Sequence, residues 1–161
     1  VVSVAVPTGG GPREAPPAEL AWDEGDWTTA FKLYLLAAAR GDLEAEVRLG
    51  RMYYDGFGRP ADPRGAEARF RKAAGLGSAE AKYRLGLLYS DNRPSAPWDL
   101  DVARQFFVEA ADTHPMAALK LGYFYARGIG VREDHDAATK WFQQAAKLGS
   151  AEAAERLRSN R

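Results

Sequence analysis

Residues 117–153 read AALKLGYFYARGIGVREDHDAATKWFQQAAKLGSAEA, and the same pattern occurs earlier in the chain at a fixed spacing. An alanine, a Leu-Gly pair and a tyrosine each return every 36 residues. The recurring positions are Ala45, Ala81, Ala117 and Ala153; Leu49-Gly50, Leu85-Gly86 and Leu121-Gly122; and Tyr53, Tyr89 and Tyr125. A fixed period of this length is typical of solenoids, in which each unit buries its apolar face against its neighbours.

Each repeat predicts two helices separated by a turn. We expect first helices at about 43–55, 79–90 and 116–127, and second helices at about 63–74, 100–111 and 135–147. An aspartate precedes each second helix, where its carboxylate can accept hydrogen bonds from the free amides of the first turn. These aspartates are Asp62, Asp99 and Asp134, and Asp26 precedes a further helix at 27–40. With short helices at both ends, the sequence predicts about eight helices and no sheet.

A column of aromatic residues accompanies the repeat. Each member lies three residues before an Ala-Ala pair: Tyr34, Phe70, Phe107 and Phe142. Small residues let helices approach closely, and an aromatic ring fills the space between neighbouring helices. We interpret this column as core, so truncation of Phe107 or Leu85 is expected to cost on the order of 2–5 kcal/mol.

Composition excludes several classes of partner. Lys and Arg number 22, as do Asp and Glu, which argues against a general electrostatic attraction to nucleic acid or to an anionic membrane. The chain contains no cysteine, so it has no disulfide framework, thiolate metal site or thiol nucleophile. No apolar run approaches the length of a membrane span, so we predict no membrane insertion.

The N-terminal residues differ in composition from the repeats. Residues 1–17 combine the β-prone stretch VVSVAV with a Pro- and Gly-rich stretch, which predicts a flexible tail. The alternative is that VVSVAV adds as a strand to another surface. A chain without cysteine suits either redox compartment, so the localisation stays open. The first residue is Val1 rather than methionine, which favours a processed or trimmed chain and hence export.

The repeated residues resemble the Sel-one-like repeat family, 36-residue relatives of tetratricopeptide repeats. The resemblance rests on the order A-x-x-x-L-G-x-x-Y, G-x-G-x-x-x-D, an aromatic before Ala-Ala, and a turn glycine. It is closest in the third unit, at Ala117, Leu121, Gly122, Tyr125, Gly128, Gly130, Val131, Asp134, Ala138, Trp141, Ala145, Ala146 and Gly149. The resemblance implies an all-α, right-handed α-solenoid of antiparallel helix pairs. It assigns residues 18–41 to N-terminal capping helices, 42–77, 78–113 and 114–149 to repeat units, and 150–161 to a C-terminal capping helix.

The resemblance also implies a role. Members of this family act as adaptors that hold a protein or peptide on a concave surface, and bacterial members are often exported to the periplasm or beyond. We therefore expect a non-catalytic interaction module whose partner is a protein or peptide. The chain is expected to be a monomer, with self-stacking through an exposed end repeat as an alternative.

The residues offer little catalytic chemistry. The Gly-x-Gly turns at 56–58 and 128–130 follow no strand, and helix-to-helix turns with positive φ need glycine in any case. His114 and His135 lack the spacing of a triad or zinc site, and we interpret both as exposed structural residues. The sequence predicts no cofactor, no metal and no enzyme. The alternative is an enzyme or ligand-binding module for cell-wall fragments or a similar small substrate.

A basic row is the first candidate surface. The members recur one residue before the leucine of each first helix: Arg48, Arg84, Lys120 and Arg156. Glu44, Glu80 and Glu152 stand four residues before three of them, in the order that favours an intrahelical ion pair. Met116 takes that place before Lys120, so an acidic ligand would find its clearest opening there. We predict partner binding by Arg48, Arg84, Lys120 and Tyr123.

The middle unit departs from the repeat. Residues 90–98 read SDNRPSAPW, one residue longer than the equivalent stretch of the third unit and without a Gly-x-Gly turn. Two prolines stiffen this loop. Arg93 and Trp98 are residue types enriched at binding hot spots, so we add both to the predicted partner-binding residues. The alternative is that Trp98 packs over the end of the following helix.

Overall fold

The structure is a computed structural model that describes residues 17–93 and 95–159, and within them the chain is helical with no strand. The helices are α1 Pro17–Asp23, α2 Trp27–Ala39, α3 Leu43–Asp55, α4 Pro63–Gly75, α5 Ala79–Ser90, α6 Leu100–Ala110, α7 Pro115–Arg127, α8 His135–Lys147 and α9 Ala151–Ser159. These nine are the six helices of the repeats, α2 and a short helix at each end, one more than the predicted total of about eight, and Gly25 separates α1 from α2 with a positive φ of 75°. The predicted tail, apart from Pro17, and the VVSVAV stretch lie outside the described residues.

Polar side chains cap most of these helices at the N-terminus. The predicted caps are confirmed: Asp26, Asp62, Asp99 and Asp134 accept hydrogen bonds from first-turn amides of α2, α4, α6 and α8. A second set caps α3, α5, α7 and α9 at the 36-residue spacing: Asp42, Ser78, His114 and Ser150. Each such cap contributes about 1 kcal/mol by satisfying an amide that lacks an intrahelical partner.

The repeated Leu-Gly pair marks the closest approach between the two helices of a unit. A Cβ atom built on Gly86 of α5 would lie 2.4 Å from Cε1 of Phe107 in α6. The same contact recurs between Gly50 and Phe70 and between Gly122 and Phe142, at 2.3 and 2.4 Å. Only glycine leaves room for the ring. The aromatic column is therefore core as predicted, and Phe107 is completely buried.

The Gly-x-Gly turns join one unit to the preceding one. Gly130 has φ of 63°, and a Cβ atom there would lie 2.7 Å from the Cβ of Leu100, the first residue of α6. Gly58 meets Trp27 at the start of α2 in the same way, at 2.8 Å. These glycines are thus required by packing between units as well as by the turn itself.

The buried side chains form two clusters that meet at α3. One cluster lies among α1, α2 and α3 and includes Tyr34, Leu49 and Met52. The other runs from α3 to α9 and includes Val47 and Phe107. Each helix packs against the next along the chain, so units contact their neighbours and not distant parts of the solenoid.

Candidate functional site

One side of the first helices carries side chains that stay out of the core. In α3, Leu49 and Met52 are fully buried, whereas Arg48 and Arg51 remain partly exposed. Residues three positions apart lie on the same side of an α-helix, so each unit presents two such side chains. We call their common surface the first-helix face. It consists of Arg48, Arg51, Arg84, Leu87, Lys120 and Tyr123, all half-buried.

The ion pairs predicted for the first two units of the basic row are confirmed. Arg48 Nε lies 2.9 Å from Glu44 Oε1, and Arg84 Nε lies 2.6 Å from Glu80 Oε1. Both pairs link residues four apart on one helix and are partly solvated, so each contributes only a few tenths of a kcal/mol, about 0.3–0.5. Their main effect is to neutralise these two guanidinium groups.

The predicted pair between Glu152 and Arg156 is wrong. Glu152 Oε1 instead accepts a hydrogen bond of 2.5 Å from the hydroxyl of Tyr123, which lies on α7. Arg127 and Arg156 both lie over the Tyr123 ring, with their Cζ atoms 5.0 and 4.9 Å from its centroid. The hydrogen bond to Glu152 raises the pKa of Tyr123, and burial adds to the rise. The Tyr123 side chain is thus held in one orientation at this end of the face, beside Lys120.

The prediction that His114 is an exposed residue is also wrong. His114 caps α7, and its Nδ1 accepts a hydrogen bond from Ala117 N–H at 3.3 Å. With Nδ1 as an acceptor, the Nε2–H group donates a hydrogen bond to Glu80 Oε2, 2.7 Å away. The ring stacks on Tyr83, with 4.4 Å between centroids. The hydrogen bond from His114 lowers the pKa of Glu80 to about 2 against the opposing effect of burial, with a further contribution from Arg84.

Arg51 is a residue of this face that the sequence analysis missed. It falls in the same 36-residue column as Leu87 and Tyr123, so the spacing contained the signal, but the three residues differ in type. Its Cζ lies 5.0 Å from the Trp22 ring centroid, and Arg48 approaches the same ring at 5.3 Å. The structure thus brings Arg48 and Arg51 together against α1.

The loop of the middle unit reaches the first-helix face through Tyr54. Arg93 pairs with Asp91 and lies over the Tyr54 ring, with its Cζ 4.1 Å from the centroid. The Tyr54 hydroxyl donates to the same Asp91 carboxylate. These contacts tie the loop to α3 of the preceding unit. Tyr54 in turn lines a pocket with Arg51 and Arg84.

Trp98 lies at the other end of this loop. It is 60% exposed, so most of its surface faces solvent. The neighbouring Pro97 lines an open groove of about 690 Å³ between the loop and the start of α4. The remaining lining residues are Ala61, Asp62, Pro63, Arg64, Glu67, Ser95 and Ala96.

A second open groove, of about 600 Å³, lies where the end of α6 meets α8 and includes Asp112, Asp134, Asp136 and Trp141. Asp134 is already engaged as a helix cap. Within residues 17–93 and 95–159, no group of three or more carboxylate or histidine side chains is arranged to hold a metal ion. None of the helices described here combines the length and the apolar character needed to cross a bilayer.

Comparisons with known proteins agree with this architecture. The Sel1 repeat matches four times, over residues 28–42, 43–78, 79–112 and 115–150. A curated relative, chitin synthase regulatory factor 4 of Schizosaccharomyces pombe, is 32% identical over 134 residues, or 82% of this chain. The match covers only 20% of that relative, so the chain spans a small part of the larger protein.

Two solved structures share the fold. The Sel1 repeat protein of Oxalobacter formigenes superposes with a TM-score of 0.76 and 29% identity, over 87% of this chain and 57% of the other. The antigen c5321 of uropathogenic Escherichia coli, described as displaying an SLR fold, gives a TM-score of 0.75 and 27% identity, over 86% and 31% of the two chains. The predicted right-handed α-solenoid is confirmed. Because four consecutive matches cover most of its length, the chain belongs to the Sel1 repeat family.

Proposed function

We propose that this chain is a non-catalytic adaptor that binds a protein or peptide on its first-helix face. Sel1 repeats are typically protein-interaction modules, which supports the general class. The observation that carries the proposal is a contrast between two kinds of repeated position. The Leu-Gly pair and the phenylalanine that packs on it are the same in all three units, whereas one position of the face changes from Arg51 to Leu87 to Tyr123. A repeated scaffold that varies an outward side chain from unit to unit is suited to selecting one partner.

The composition of the face fits protein recognition. Arginine and tyrosine are enriched at the energetic centres of interfaces. Tyr123 is already fixed by Glu152 and flanked by Arg127 and Arg156, so it loses little conformational entropy on binding. Met116, 38% exposed, adds an apolar side chain at the start of the same helix. A partner would therefore meet alternating charged and apolar contacts along the face.

The alternative, an enzyme or small-ligand module, would be favoured by several carboxylates of shifted pKa in one closed pocket, with a raised pKa on the group that acts as the general acid. Among the described residues, four carboxylates have a clearly shifted pKa, and in each case the pKa is lowered: Asp26, Glu67, Glu80 and Asp91. For Glu67 and Asp91, burial raises the pKa, but hydrogen bonds from tyrosine and arginine outweigh it. A group held ionised in this way is a poor general acid. We therefore keep the adaptor role as the proposal.

A photocrosslinking experiment tests the face directly. A photoreactive amino acid replaces Leu87, on the face, or Val108, a partly exposed apolar residue on the second helix of the same unit. Each variant is exposed to extracts of the source cells and of their medium, so that the predicted export is tested in parallel. We expect a discrete protein adduct from position 87. Its yield should fall when unlabelled protein is added as a competitor. An adduct from position 108 alone, or from neither position, would overturn the proposal.

A further inference from the structure

Arg51 and Lys120 are the two basic residues of the first-helix face that form no ion pair within the described residues, and Arg51 is the one that lines a pocket. Arg48 and Arg84 each pair with a glutamate, but no carboxylate of the described chain forms an ion pair with Arg51. Its Nε is buried and makes no hydrogen bond within the described residues. The contact with Trp22 holds the guanidinium in position. The Nε of Arg51 therefore lacks an acceptor, and the charge of its guanidinium is not compensated by an ion pair, which is costly for a group partly removed from water.

The surroundings add positive charge to this position. Burial lowers the pKa of Arg51, and the nearby charges of Arg84 and then Arg48 lower it further. The carboxylates of Asp55 and Glu80 act in the opposite direction and do not cancel these effects. An anion placed between Arg51 and Arg84 would relieve the repulsion and supply the missing acceptor.

A small pocket lies at this place. It has a volume of about 50 Å³ and is lined by Arg51, Tyr54, Asp55, Phe70, Arg84 and Leu87. Phe70 belongs to the core and is 2% exposed, so the pocket reaches down to the interior between α3 and α5. A carboxylate with its adjacent methylene fits this size, since one water molecule occupies about 30 Å³ in the liquid. The aromatic and aliphatic lining suits the methylene, and the two guanidinium groups suit the charge.

We propose that this pocket binds a glutamate or aspartate side chain of a partner segment that lies along the first-helix face. The inference rests on the proposed adaptor function and names the chemistry that would anchor the partner. Arg51 is free to bind the carboxylate with two parallel hydrogen bonds, the geometry that guanidinium groups favour. Arg84, already paired with Glu80, contributes charge. Leu87 and Tyr54 contact the methylene groups of the incoming side chain.

The test uses arginine side-chain NMR spectra of the whole protein, with N-acetyl-glutamate N-methylamide as the probe. Saturable shifts of the Arg51 and Arg84 Nε–Hε signals are expected. The isosteric N-acetyl-glutamine N-methylamide should bind at least about tenfold more weakly, because a hydrogen bond to a charged group is worth 1.5–3 kcal/mol. Arg51→Lys keeps the charge and should still lose several-fold in affinity, whereas Arg132→Lys, at an exposed position elsewhere, should lose none.

Several results would overturn the inference. Equal binding of the glutamine probe would show that the pocket does not recognise negative charge. Shifts confined to Lys120, Arg127 or Arg156 would show that the carboxylate binds elsewhere on the face. Tighter binding of N-acetyl-glycine would assign the pocket to a chain terminus and not to a side chain. The Arg51→Met variant should not bind the probe, and its melting temperature shows whether the variant is still folded. Binding by a folded Arg51→Met variant would contradict the inference. An adduct at position 87 without probe binding would leave the adaptor proposal standing and reject the carboxylate pocket alone.

Discussion

Gly86 shows at the scale of one residue how the repeat is held together. Because a Cβ atom there would lie 2.4 Å from Phe107, Gly86→Ala should destabilise the protein near the upper end of about 1–3 kcal/mol, as overpacking does. Gly75→Ala is the matched control, since a Cβ atom on Gly75 meets nothing within 4 Å. That change should be neutral or stabilising by about 0.4–1 kcal/mol.

Urea unfolding measures both changes, and a double-mutant cycle with Phe107→Ala identifies the cause. Phe107→Ala alone should cost about 3–5 kcal/mol by leaving a cavity. With the ring removed, Gly86→Ala should lose most of its cost. An unchanged cost in the absence of Phe107 would show that the contact with the ring is not what requires glycine.

Glu80 gives a residue-scale prediction about pH. Its pKa is about 2 in the folded protein and 4.5 in the ordinary state, because the His114 Nε2–H and Arg84 favour the ionised form. A lowered pKa contributes stability above pH 4.5, and this contribution is lost as the pH falls from 4.5 towards 2. The side chain is 34% exposed, so the loss should be on the order of 1–2 kcal/mol and not the full linkage value.

Glu80→Gln should remove this part of the acid sensitivity, as measured by unfolding free energies at several pH values between neutral and 2. Glu44→Gln is the matched control, since Glu44 occupies the same column but pairs only with Arg48 and is 57% exposed. Its pH profile should follow that of the unmodified protein. Identical profiles for both variants would contradict the role of the His114 hydrogen bond.

Two residues show what the sequence could and could not predict. His114 occupies the first-helix cap position shared by Asp42, Ser78 and Ser150. The 36-residue spacing therefore predicts that His114 is a cap, although its residue type differs from the others in the column. Its bond to Glu80 depends on the packing of α5 against α7, which no spacing reveals. The pocket at Arg51 depends likewise on the gap between two helices from different units. Periodicity therefore predicts the elements and their packing columns, whereas contacts between units need the folded structure.

At the scale of helix pairs, the first two units carry opposite charges at equivalent positions. Glu46 of α3 accepts from Arg69 and Lys72 of α4, whereas Lys82 of α5 lies 3.3 Å from Glu109 of α6. If α3 packed against α6 instead of α4, Glu46 and Glu109 would face each other and repel. The exchange of charge thus favours pairing of each helix with its own partner, as in interfaces that select partners by charge.

The two pairs should differ in their effect on stability. Glu46 is 2% exposed, so Glu46→Gln removes the charged hydrogen bonds that a buried carboxylate makes to Arg69 and Lys72 and should cost about 1.5–3 kcal/mol. Lys82 is 26% and Glu109 52% exposed, so Lys82→Gln should cost less than about 1 kcal/mol. Thermal unfolding of both variants measures the difference. Similar costs for the two would show that burial does not decide the contribution.

The loop of the middle unit is the element that differs most from the repeat. Because the Trp98 side chain is 60% exposed, Trp98→Ala should change the melting temperature by no more than about 2 °C, the effect of a few tenths of a kcal/mol. Leu85→Ala in the same unit is the control and should lower it much more. A large drop for Trp98→Ala would support the alternative interpretation of Trp98 as a packing residue. If a partner is captured, a loss of affinity with retained stability would place Trp98 in the interface.

At the scale of the whole molecule, the two buried clusters predict that the solenoid does not unfold as one unit. They share only α3, with Leu49 and Met52 in the N-terminal cluster and Val47 in the other. In a linear array each unit is stabilised mainly by its neighbours, so damage in one cluster reaches the other only through the helix between them. Local stability should therefore depend on which cluster is altered.

Leu49→Ala and Leu121→Ala test this with the same substitution at equivalent, fully buried positions of α3 and α7. Each should cost about 2–5 kcal/mol locally. Native-state hydrogen exchange should show faster opening of α1 and α2 for Leu49→Ala and of α7, α8 and α9 for Leu121→Ala, because partial unfolding follows local contacts. Equal acceleration over all helices in both variants would show a single cooperative unit. Opening confined to one end would show that the two clusters open independently. Because the first-helix face runs from α3 to α7, a partner bound along all of it should then slow exchange at both ends.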